Sequence, residues 1–186
     1  MVEKIKSILS AYPKISLPLN GLTPAAVTVP VFLKDDRWSV LLTRRTRNVR
    51  HHKGEISFPG GAMDEGDTSL LETALRETEE EVGIRREDVT VLGELDDIRT
   101  LSHFRVSPFV ITFPYPYPYV VCDAEIEELL EIPLAALQKE ARLEERPAQY
   151  EGAHATVYFY YYRDVVIWGA TAKILKQFLD RVDFTG

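Results

Sequence analysis

The segment that decides the fold spans residues 60–84 and has the sequence GGAMDEGDTSLLETALRETEEEVGI. A helix is predicted from about Leu70 to Val82, because Ser69 and Glu72 have the spacing of a capping box at its start. Gly83 follows the last helical residue, and glycine commonly ends a helix at that position. The segment therefore begins with two glycines. An irregular loop is predicted to follow them, and then one helix with clear signals at both ends.

The predicted helix has an apolar side and an acidic side. Four residues at helical spacing are predicted to face the core: Leu71, Leu75, Thr78 and Val82. Glu77, Glu80 and Glu81 share an adjacent arc, and each contact between like charges costs about a few tenths of a kcal/mol in an isolated helix. They also lie near the C-terminal end, where the helix dipole disfavours anions. Spacing alone leaves two hypotheses open, a solvated acidic face or a cation site.

A divalent cation would turn these unfavourable contacts into favourable ones. Mg²⁺ and Mn²⁺ prefer carboxylate oxygen ligands, and Mg²⁺ is usually held by a few carboxylates together with waters and substrate phosphates. The glycine pair Gly60-Gly61 and the basic residues upstream of it favour the cation site over a solvated face. Arg76 lies four residues before Glu80 and is predicted to pair with it.

Residues 76–84 resemble the second half of the Nudix box. The family pattern is Gly, five residues, Glu, seven residues, then Arg-Glu-apolar-any-Glu-Glu-any-Gly-apolar. This chain has one residue more between Gly61 and Arg76, and the region Asp67-Thr68 replaces the isolated glutamate. Thr78 stands where an aliphatic residue is usual. The resemblance implies a Nudix fold, in which a curved mixed sheet lies between helices and the acidic helix packs over it.

The same resemblance implies which residues carry the chemistry. The groups expected to hold Mg²⁺ or Mn²⁺ are the carboxylates of Glu77, Glu80 and Glu81 and the carbonyl of Gly60. Arg76 is expected to orient the acidic side chains. Glu125, in the acidic run that follows residue 122, is implied as a further ligand or as the base. Glu80 and Glu81 are the other candidates for the base, and the sequence does not choose among the three.

A second motif lies directly before the glycines. Residues 41–61, LLTRRTRNVRHHKGEISFPGG, closely resemble the marker of the coenzyme A pyrophosphatase branch of the Nudix family. That marker is Leu-Leu-Thr-any-Arg-Ser, a spaced Arg, a spaced Gly, and Phe-Pro-Gly-Gly. Arg45 and Arg50 occupy its fixed positions and are predicted to bind substrate together with Gly60 and Gly61. Arginine suits phosphate oxygens; the alternative is a solvated basic loop that balances the acidic helix.

The two resemblances cover roughly residues 25–180 and imply a hydrolase. Its reaction would be cleavage of the diphosphate bridge in coenzyme A or in an acylated or oxidised derivative. The products would be 4′-phosphopantetheine, with its acyl group if present, and adenosine 3′,5′-bisphosphate. One alternative is a Nudix pyrophosphatase that acts on another nucleoside diphosphate derivative, such as ADP-ribose. The other is a non-catalytic nucleotide sensor, against which the complete set of glutamates argues.

Length and composition agree with a small-molecule enzyme. The 186 residues fit one domain, 1–186, with a core at about 25–180. Cys122 is the only cysteine and no apolar run has the length of a membrane span, so a cytoplasmic protein without membrane contact is expected. The net charge of −7 argues against nucleic acid as a partner, because a polyanion normally meets a basic surface. The oligomeric state is not predicted.

Strands and helices are mixed without strict alternation, which indicates an α/β or α+β sandwich. Helices are predicted at residues 2–11, 70–82, 133–139 and 170–182, and strands at residues 25–33, 39–43, 89–95, 106–113 and 156–162. The alternating Tyr-Pro run at 114–119 is interpreted as a rigid connecting loop rather than a stacking surface. Trp168 is interpreted as a core residue beneath the last helix.

Overall fold

A computed structural model describes residues 1–46, 54–150 and 153–185. The helices are α1 (Val2–Ala11), α2 (Leu70–Val82), α3 (Leu134–Lys139) and α4 (Gly169–Arg181), with a short 3₁₀ helix at Arg86–Asp88. The strands are β1 (Thr23–Lys34), β2 (Arg37–Arg45), β3 (Ile56–Ser57), β4 (Gly60–Ala62), β5 (Thr90–Glu94), β6 (Ile98–Arg99), β7 (Phe104–Thr112), β8 (Ile126–Pro133), β9 (Arg142–Tyr150), β10 (Ala153–Tyr162) and β11 (Val165–Trp168). The predicted helices and strands are confirmed, with ends within three residues. None of these helices is long and apolar enough to cross a membrane.

The large sheet is mixed, as expected. Its main path is β3-β2-β1-β7-β5, and β4, β6 and β8 pair with β1, β7 and β2. The central strands β1 and β7 run parallel, from Thr23 opposite Phe104 to Val31 opposite Thr112, and the other described pairs are antiparallel. A second sheet of three antiparallel strands, β11-β10-β9, was not predicted. The fold is therefore α+β, with one large mixed sheet and four helices in the described residues.

Strand β1 shows why the large sheet lies between two helical layers. Successive residues of a strand point to opposite faces of its sheet. Val29 and Val31 pack into the main core, which also contains buried residues of α1, α3, α4 and the small sheet. Ala26 points the other way and packs against Ala74 of α2. The acidic helix therefore covers one face of the sheet, and the remaining helices lie on the other face.

Helix α2 has its predicted limits. The Ser69 hydroxyl accepts a hydrogen bond from the backbone N–H of Glu72 at 3.2 Å. Gly83 ends the helix with φ 74°, a left-handed conformation that glycine adopts without a steric penalty. The second half of the capping box differs from the prediction, because the Glu72 carboxylate accepts the N–H of Thr68 at 2.8 Å.

The predicted apolar side of α2 is wrong in part. Leu71 and Leu75 are only half-buried, whereas Thr78 and Glu81 are buried. The Thr78 hydroxyl lies 2.7 Å from the hydroxyl of Thr28 on β1, so this buried polar pair satisfies itself. A hydrogen bond to β1 thus takes the place of an aliphatic contact at Thr78, and Glu81 is also buried.

Two predictions about aromatic residues also change. Trp168 is 41% exposed, so its interpretation as a core residue is wrong. It lies at the N-cap of α4, opposite Phe159 on the neighbouring strand. The Tyr-Pro run at 114–119 does connect two strands, but its three tyrosine rings pack against Phe32 and Phe113. The run therefore forms part of a second, smaller core.

Candidate active site

Glu81 of α2 is a buried carboxylate of the site, with 4% of its side chain exposed. Its Oε1 accepts a hydrogen bond from Nη1 of Arg45 at 3.2 Å. Its Oε2 accepts the backbone N–H of Gly60 at 3.2 Å. Burial raises the pKa of Glu81 to about 7, although the charge of Arg45 acts in the opposite direction. The residue is therefore a rigidly held carboxyl group that can exchange a proton near neutral pH.

Arg45 also connects Glu81 to Glu125. Nη2 of Arg45 donates to the Glu125 carboxylate at 3.0 Å, and 48% of that side chain is exposed. Backbone hydrogen bonds fix this arrangement, because the N–H of Thr46 donates to the Glu125 carbonyl and that of Cys122 to the Glu81 carbonyl. The structure thus brings Glu125 to the acidic helix, and its role as ligand or base stays a prediction.

The glycine pair allows close approach on two sides. A Cβ atom on Gly60 would lie 2.3 Å from the carbonyl oxygen of Ala26 in β1. A Cβ atom on Gly61 would lie 2.6 Å from the carboxyl carbon of Glu77. Gly60 contributes its N–H to Glu81, and the predicted role of its carbonyl as a ligand stays untested. Gly60 thus lets β4 lie directly against β1, and Gly61 lets it lie directly against Glu77.

We expect Gly61→Ala to lower activity at least tenfold, because the added methyl group must displace the Glu77 carboxylate. Steady-state kinetics and circular dichroism would measure activity and folding separately. Gly66→Ala is the matched control, since a Cβ at Gly66 meets no atom within 4 Å. An active Gly61→Ala enzyme would show that the position of Glu77 is not critical.

Arg76 holds the other carboxylates. Its Nη1 donates to Glu77 at 2.9 Å and to Glu80 at 3.0 Å. Its Nε and Nη2 each donate to one oxygen of Asp67 at 3.0 Å, which makes a bidentate ion pair. Asp67, with 4% of its side chain exposed, also accepts the hydroxyl of Thr73 at 2.9 Å. The predicted orienting function of Arg76 thus has a geometric basis.

Asp67 is the site residue whose role the sequence analysis predicted least well. The sequence indicated only that the region Asp67-Thr68 replaces a family glutamate. Of these two residues, Asp67 is the one that pairs with Arg76, and the hydrogen bonds of Arg76 hold the pKa of Asp67 well below its usual range. The backbone N–H of Asp64 also donates to Asp67 at 3.0 Å. The only available signal was the position of Asp67, the sixth residue after Gly61.

The structure describes only the beginning of the basic stretch 44–53, residues 44–46. Arg50, predicted to bind substrate, lies outside the described residues, as do the other residues of 47–53. Arg45 is described, and it contacts two glutamates of the site. Arg44 donates from Nε to Glu128 on β8 at 2.9 Å. The predicted phosphate-binding role of Arg45 and Arg50 stays a prediction.

The site has the chemical character that a divalent cation requires. Arg45 and Arg76 carry two positive charges, and together they contact more than two carboxylates. Burial also raises the pKa values of Glu77 and Glu81, because it removes water from their charged forms. Within the described residues, no three His, Cys, Asp or Glu side chains are already arranged around a metal position. Carboxylate oxygens suit a hard divalent cation. Which ion binds and which residues hold it are proposals.

Comparison with known proteins identifies the family. A model of the NUDIX domain matches residues 22–151, which is more than half of the chain. This chain belongs to the Nudix family. The assignment agrees with the position of the acidic helix over the mixed sheet.

Relatives in the family cover most of the chain. A Nudix hydrolase NudL of Cronobacter sakazakii, described as uncharacterized, is 36% identical over 165 residues, 89% of this chain and 85% of its own. A Nudix hydrolase NudL of Yersinia pestis, also described as uncharacterized, is 39% identical over 158 residues, 85% of this chain and 79% of its own. The Ap4A hydrolase of C. elegans has a similar fold, with a TM-score of 0.52 at 20% identity over 59% of this chain and 80% of that one.

The family supplies the general activity. The chain is a Nudix hydrolase, an enzyme that cleaves pyrophosphate bonds in its substrates. Nudix hydrolases generally need divalent cations, which agrees with the excess of carboxylates around α2.

Proposed function

We propose that this Nudix hydrolase cleaves the diphosphate bridge of coenzyme A, or of an acylated or oxidised derivative, with Mg²⁺ or Mn²⁺. The products would be 4′-phosphopantetheine, or its acyl form, and adenosine 3′,5′-bisphosphate. The observation that carries the proposal is the convergence of two motifs on one carboxylate. Arg45 and Gly60 belong to the marker at residues 41–61, and both bind Glu81 of the Nudix helix.

The protein's own residues prepare the site for hydrolysis. Arg45 and the Gly60 N–H fix both oxygens of Glu81, and Arg76 fixes Glu77 and Glu80. Positioning and charge neutralisation are the main requirements of phosphoryl transfer. Glu80, Glu81 and Glu125 are the three candidates for the base that accepts the proton of the attacking water. Burial raises the pKa of Glu81 to about 7, a value that suits proton transfer near neutral pH.

Glu77, Glu80 and Glu81, with the Gly60 carbonyl, would hold the cation. When bound, Mg²⁺ or Mn²⁺ would lower the pKa of a water and neutralise charge on the diphosphate oxygens.

Among a panel of diphosphate substrates, we expect coenzyme A to have the highest kcat/KM. The products of each reaction are identified by their masses. Dephospho-coenzyme A keeps the diphosphate bridge but lacks the 3′-phosphate. A charge-assisted hydrogen bond contributes about 1.5–3 kcal/mol, so dephospho-coenzyme A should react roughly ten- to a hundredfold less efficiently. ADP-ribose, the alternative substrate, should be slower still.

Arginine variants test which residue recognises the 3′-phosphate. Arg50→Ala should remove most of the preference for coenzyme A over dephospho-coenzyme A. The effects of Arg50→Ala and of removing the 3′-phosphate on kcat/KM should not add, because both changes remove the same contact. The effect of Arg45→Ala on substrate preference is harder to interpret, because this substitution also removes the hydrogen-bond partner of Glu81 and Glu125. Arg37→Ala, at the exposed opposite end of β2, is the matched control and should keep the preference.

Three results would contradict parts of the proposal. Equal efficiency on coenzyme A and its dephospho form would rule out recognition of the 3′-phosphate. Much faster turnover of ADP-ribose would overturn the coenzyme A assignment and leave the Nudix hydrolase assignment intact. Tight binding without product across the whole panel would favour the nucleotide sensor.

A further inference from the structure

Glu125 belongs to an exposed turn, and the place of its carboxylate depends on how that turn is held. Residues 123–125 form the turn directly before β8, and all three are exposed. The Glu125 side chain is 48% exposed and accepts a hydrogen bond from Arg45. Turns on the surface are more mobile than the elements they connect, and an ion pair that is open to water contributes little. A fixed Glu125 therefore requires contacts that hold the backbone of the turn.

Helix α2 holds the beginning of this turn. The backbone N–H of Cys122 donates to the carbonyl of Glu81 at 3.0 Å. The last carbonyls of a helix have no partner within the helix, so this bond satisfies a group at the end of α2. The Cys122 carbonyl accepts the N–H groups of Glu125 and Ile126, each at 2.9 Å. The turn is therefore connected to the same helical residue, Glu81, whose carboxylate lies in the site.

Thr46 holds the other side of the turn. It directly follows β2 and is only 9% exposed. Its backbone N–H donates to the Glu125 carbonyl at 2.8 Å, and its hydroxyl donates to the Ala124 carbonyl at 3.2 Å. One residue thus binds two successive carbonyls of the turn. A valine would fill nearly the same space, so what the hydroxyl adds at this position is the bond to Ala124.

We infer that Thr46 is a positioning residue for the hydrolysis. Its hydroxyl fixes the turn at residues 123–125, and the turn holds the Glu125 carboxylate on Arg45, which also binds Glu81. The inference rests on the proposed function, because it requires Glu125 to act as a ligand or as the base. A displacement of a reacting group by about 1 Å can lower the rate roughly a hundredfold, so the loss of this bond should appear in kcat.

Thr46→Val tests the hydroxyl alone, because valine has nearly the same shape and keeps the backbone N–H that binds Glu125. With saturating Mg²⁺ it should lower kcat roughly tenfold and change KM little, since the bond positions a group that acts in turnover. Thr46→Ser, which introduces the residue that the marker has at this position, keeps a hydroxyl and should retain nearly full kcat. If Thr46→Val does not fold, Thr46→Ala takes its place in every comparison.

Thr90→Val is the matched control. Thr90 is an exposed residue of β5, which lies at the opposite end of the main path of the large sheet from β3 and β2. The same exchange of a hydroxyl for a methyl group there should change neither kcat nor KM. Melting temperatures show whether each variant is folded.

A double substitution shows whether Thr46 acts through Glu125. Glu125→Gln alone should lower kcat by at least about tenfold. Adding Thr46→Val to Glu125→Gln should then cost less than about twofold, because the group that Thr46 positions is already lost. Losses that multiply in the double variant would show that Thr46 acts by another route and would overturn the inference. Full activity of Glu125→Gln would overturn it as well.

Hydrogen exchange measures the turn without turnover. With chelator present, the backbone N–H groups of residues 122–126 should exchange several times faster in Thr46→Val than in the unmodified protein. Those of α2 should exchange at an unchanged rate, and Thr46→Ser should match the unmodified protein throughout. Equal exchange of residues 122–126 in Thr46→Val and in the unmodified protein would show that the hydroxyl does not hold the turn.

The outcomes distinguish this inference from the proposed function. If coenzyme A is cleaved and Thr46→Val keeps full kcat, the proposed function stands and the inference is wrong. If Thr46→Val raises KM and leaves kcat unchanged, Thr46 serves substrate binding and the inference is also wrong. If another diphosphate is cleaved and coenzyme A is not, the substrate assignment fails, and loss of kcat on that diphosphate in Thr46→Val still supports the positioning role.

Discussion

Glu77→Gln and Glu81→Gln are each expected to lower kcat by at least about a hundredfold without loss of the fold. Loss of a residue that only supports a metal ligand typically costs ten- to a hundredfold, so loss of a proposed ligand should cost more. Burial raises the pKa of both carboxyl groups, so a neutral amide removes an unfavourable buried charge. Melting temperature in chelator should therefore stay the same or rise, most clearly for Glu81→Gln, while steady-state kinetics record the loss.

Glu79→Gln is the matched control for these variants. Glu79 lies on the same helix, is 41% exposed at its side chain and contacts Arg86 rather than the site. It should keep nearly full activity. Chelator should abolish the activity of the unmodified enzyme, and Mg²⁺ or Mn²⁺ should restore it. Full activity in chelator, or in Glu77→Gln or Glu81→Gln, would refute the assignment of these glutamates to the cation.

Arg76→Met should cost about 3 kcal/mol in the free energy of unfolding, measured with denaturant. Removing one member of a buried ion pair leaves the other charge without compensation, and such losses are typically about 3–5 kcal/mol. Asp67 would be that charge, because its side chain is 4% exposed and Arg76 donates a hydrogen bond to each of its two carboxylate oxygens. The double variant Asp67→Asn with Arg76→Met should recover part of the loss. Additive losses would show that the pair is not coupled.

The same pair should produce acid sensitivity. Hydrogen bonds from Arg76 hold the folded-state pKa of Asp67 below its usual value of 3.8, despite burial. A depressed pKa stabilises the folded state above the unfolded value, and the stabilisation is lost as pH falls through the folded value. Unfolding free energy should therefore fall less steeply below pH 4 in Asp67→Asn than in the unmodified protein. Parallel curves for the two proteins would contradict this account.

The sequence predicts α2 well because its signals are local. Ser69 and Gly83 mark the two ends, and both act through backbone geometry within one turn of the helix. The arc of Glu77, Glu80 and Glu81 follows from helical spacing alone. Which face is buried does not, because that depends on the strand beneath the helix, where Thr28 contacts Thr78.

Contacts between distant residues explain what the sequence did not predict. Strand β8 was missed because glutamates fill its exposed positions, and β9 because four of its nine residues are charged. Arg45 looked like a phosphate ligand, and only the folded chain shows that it lies between Glu81 and Glu125. Trp168 looked apolar enough for the core, but its exposure depends on how the small sheet meets β3.

The parallel pairing of β1 with β7 affects how the chain acquires its structure. Thr23 of β1 pairs with Phe104, and Val31 with Thr112, about 80 residues away along the chain. Contacts this distant form slowly, because a long loop must close before they can contribute. During synthesis the apolar β1 therefore emerges from the ribosome well before its central partner does. Until then the edge of β1 that later pairs with β7 is open to association with other chains.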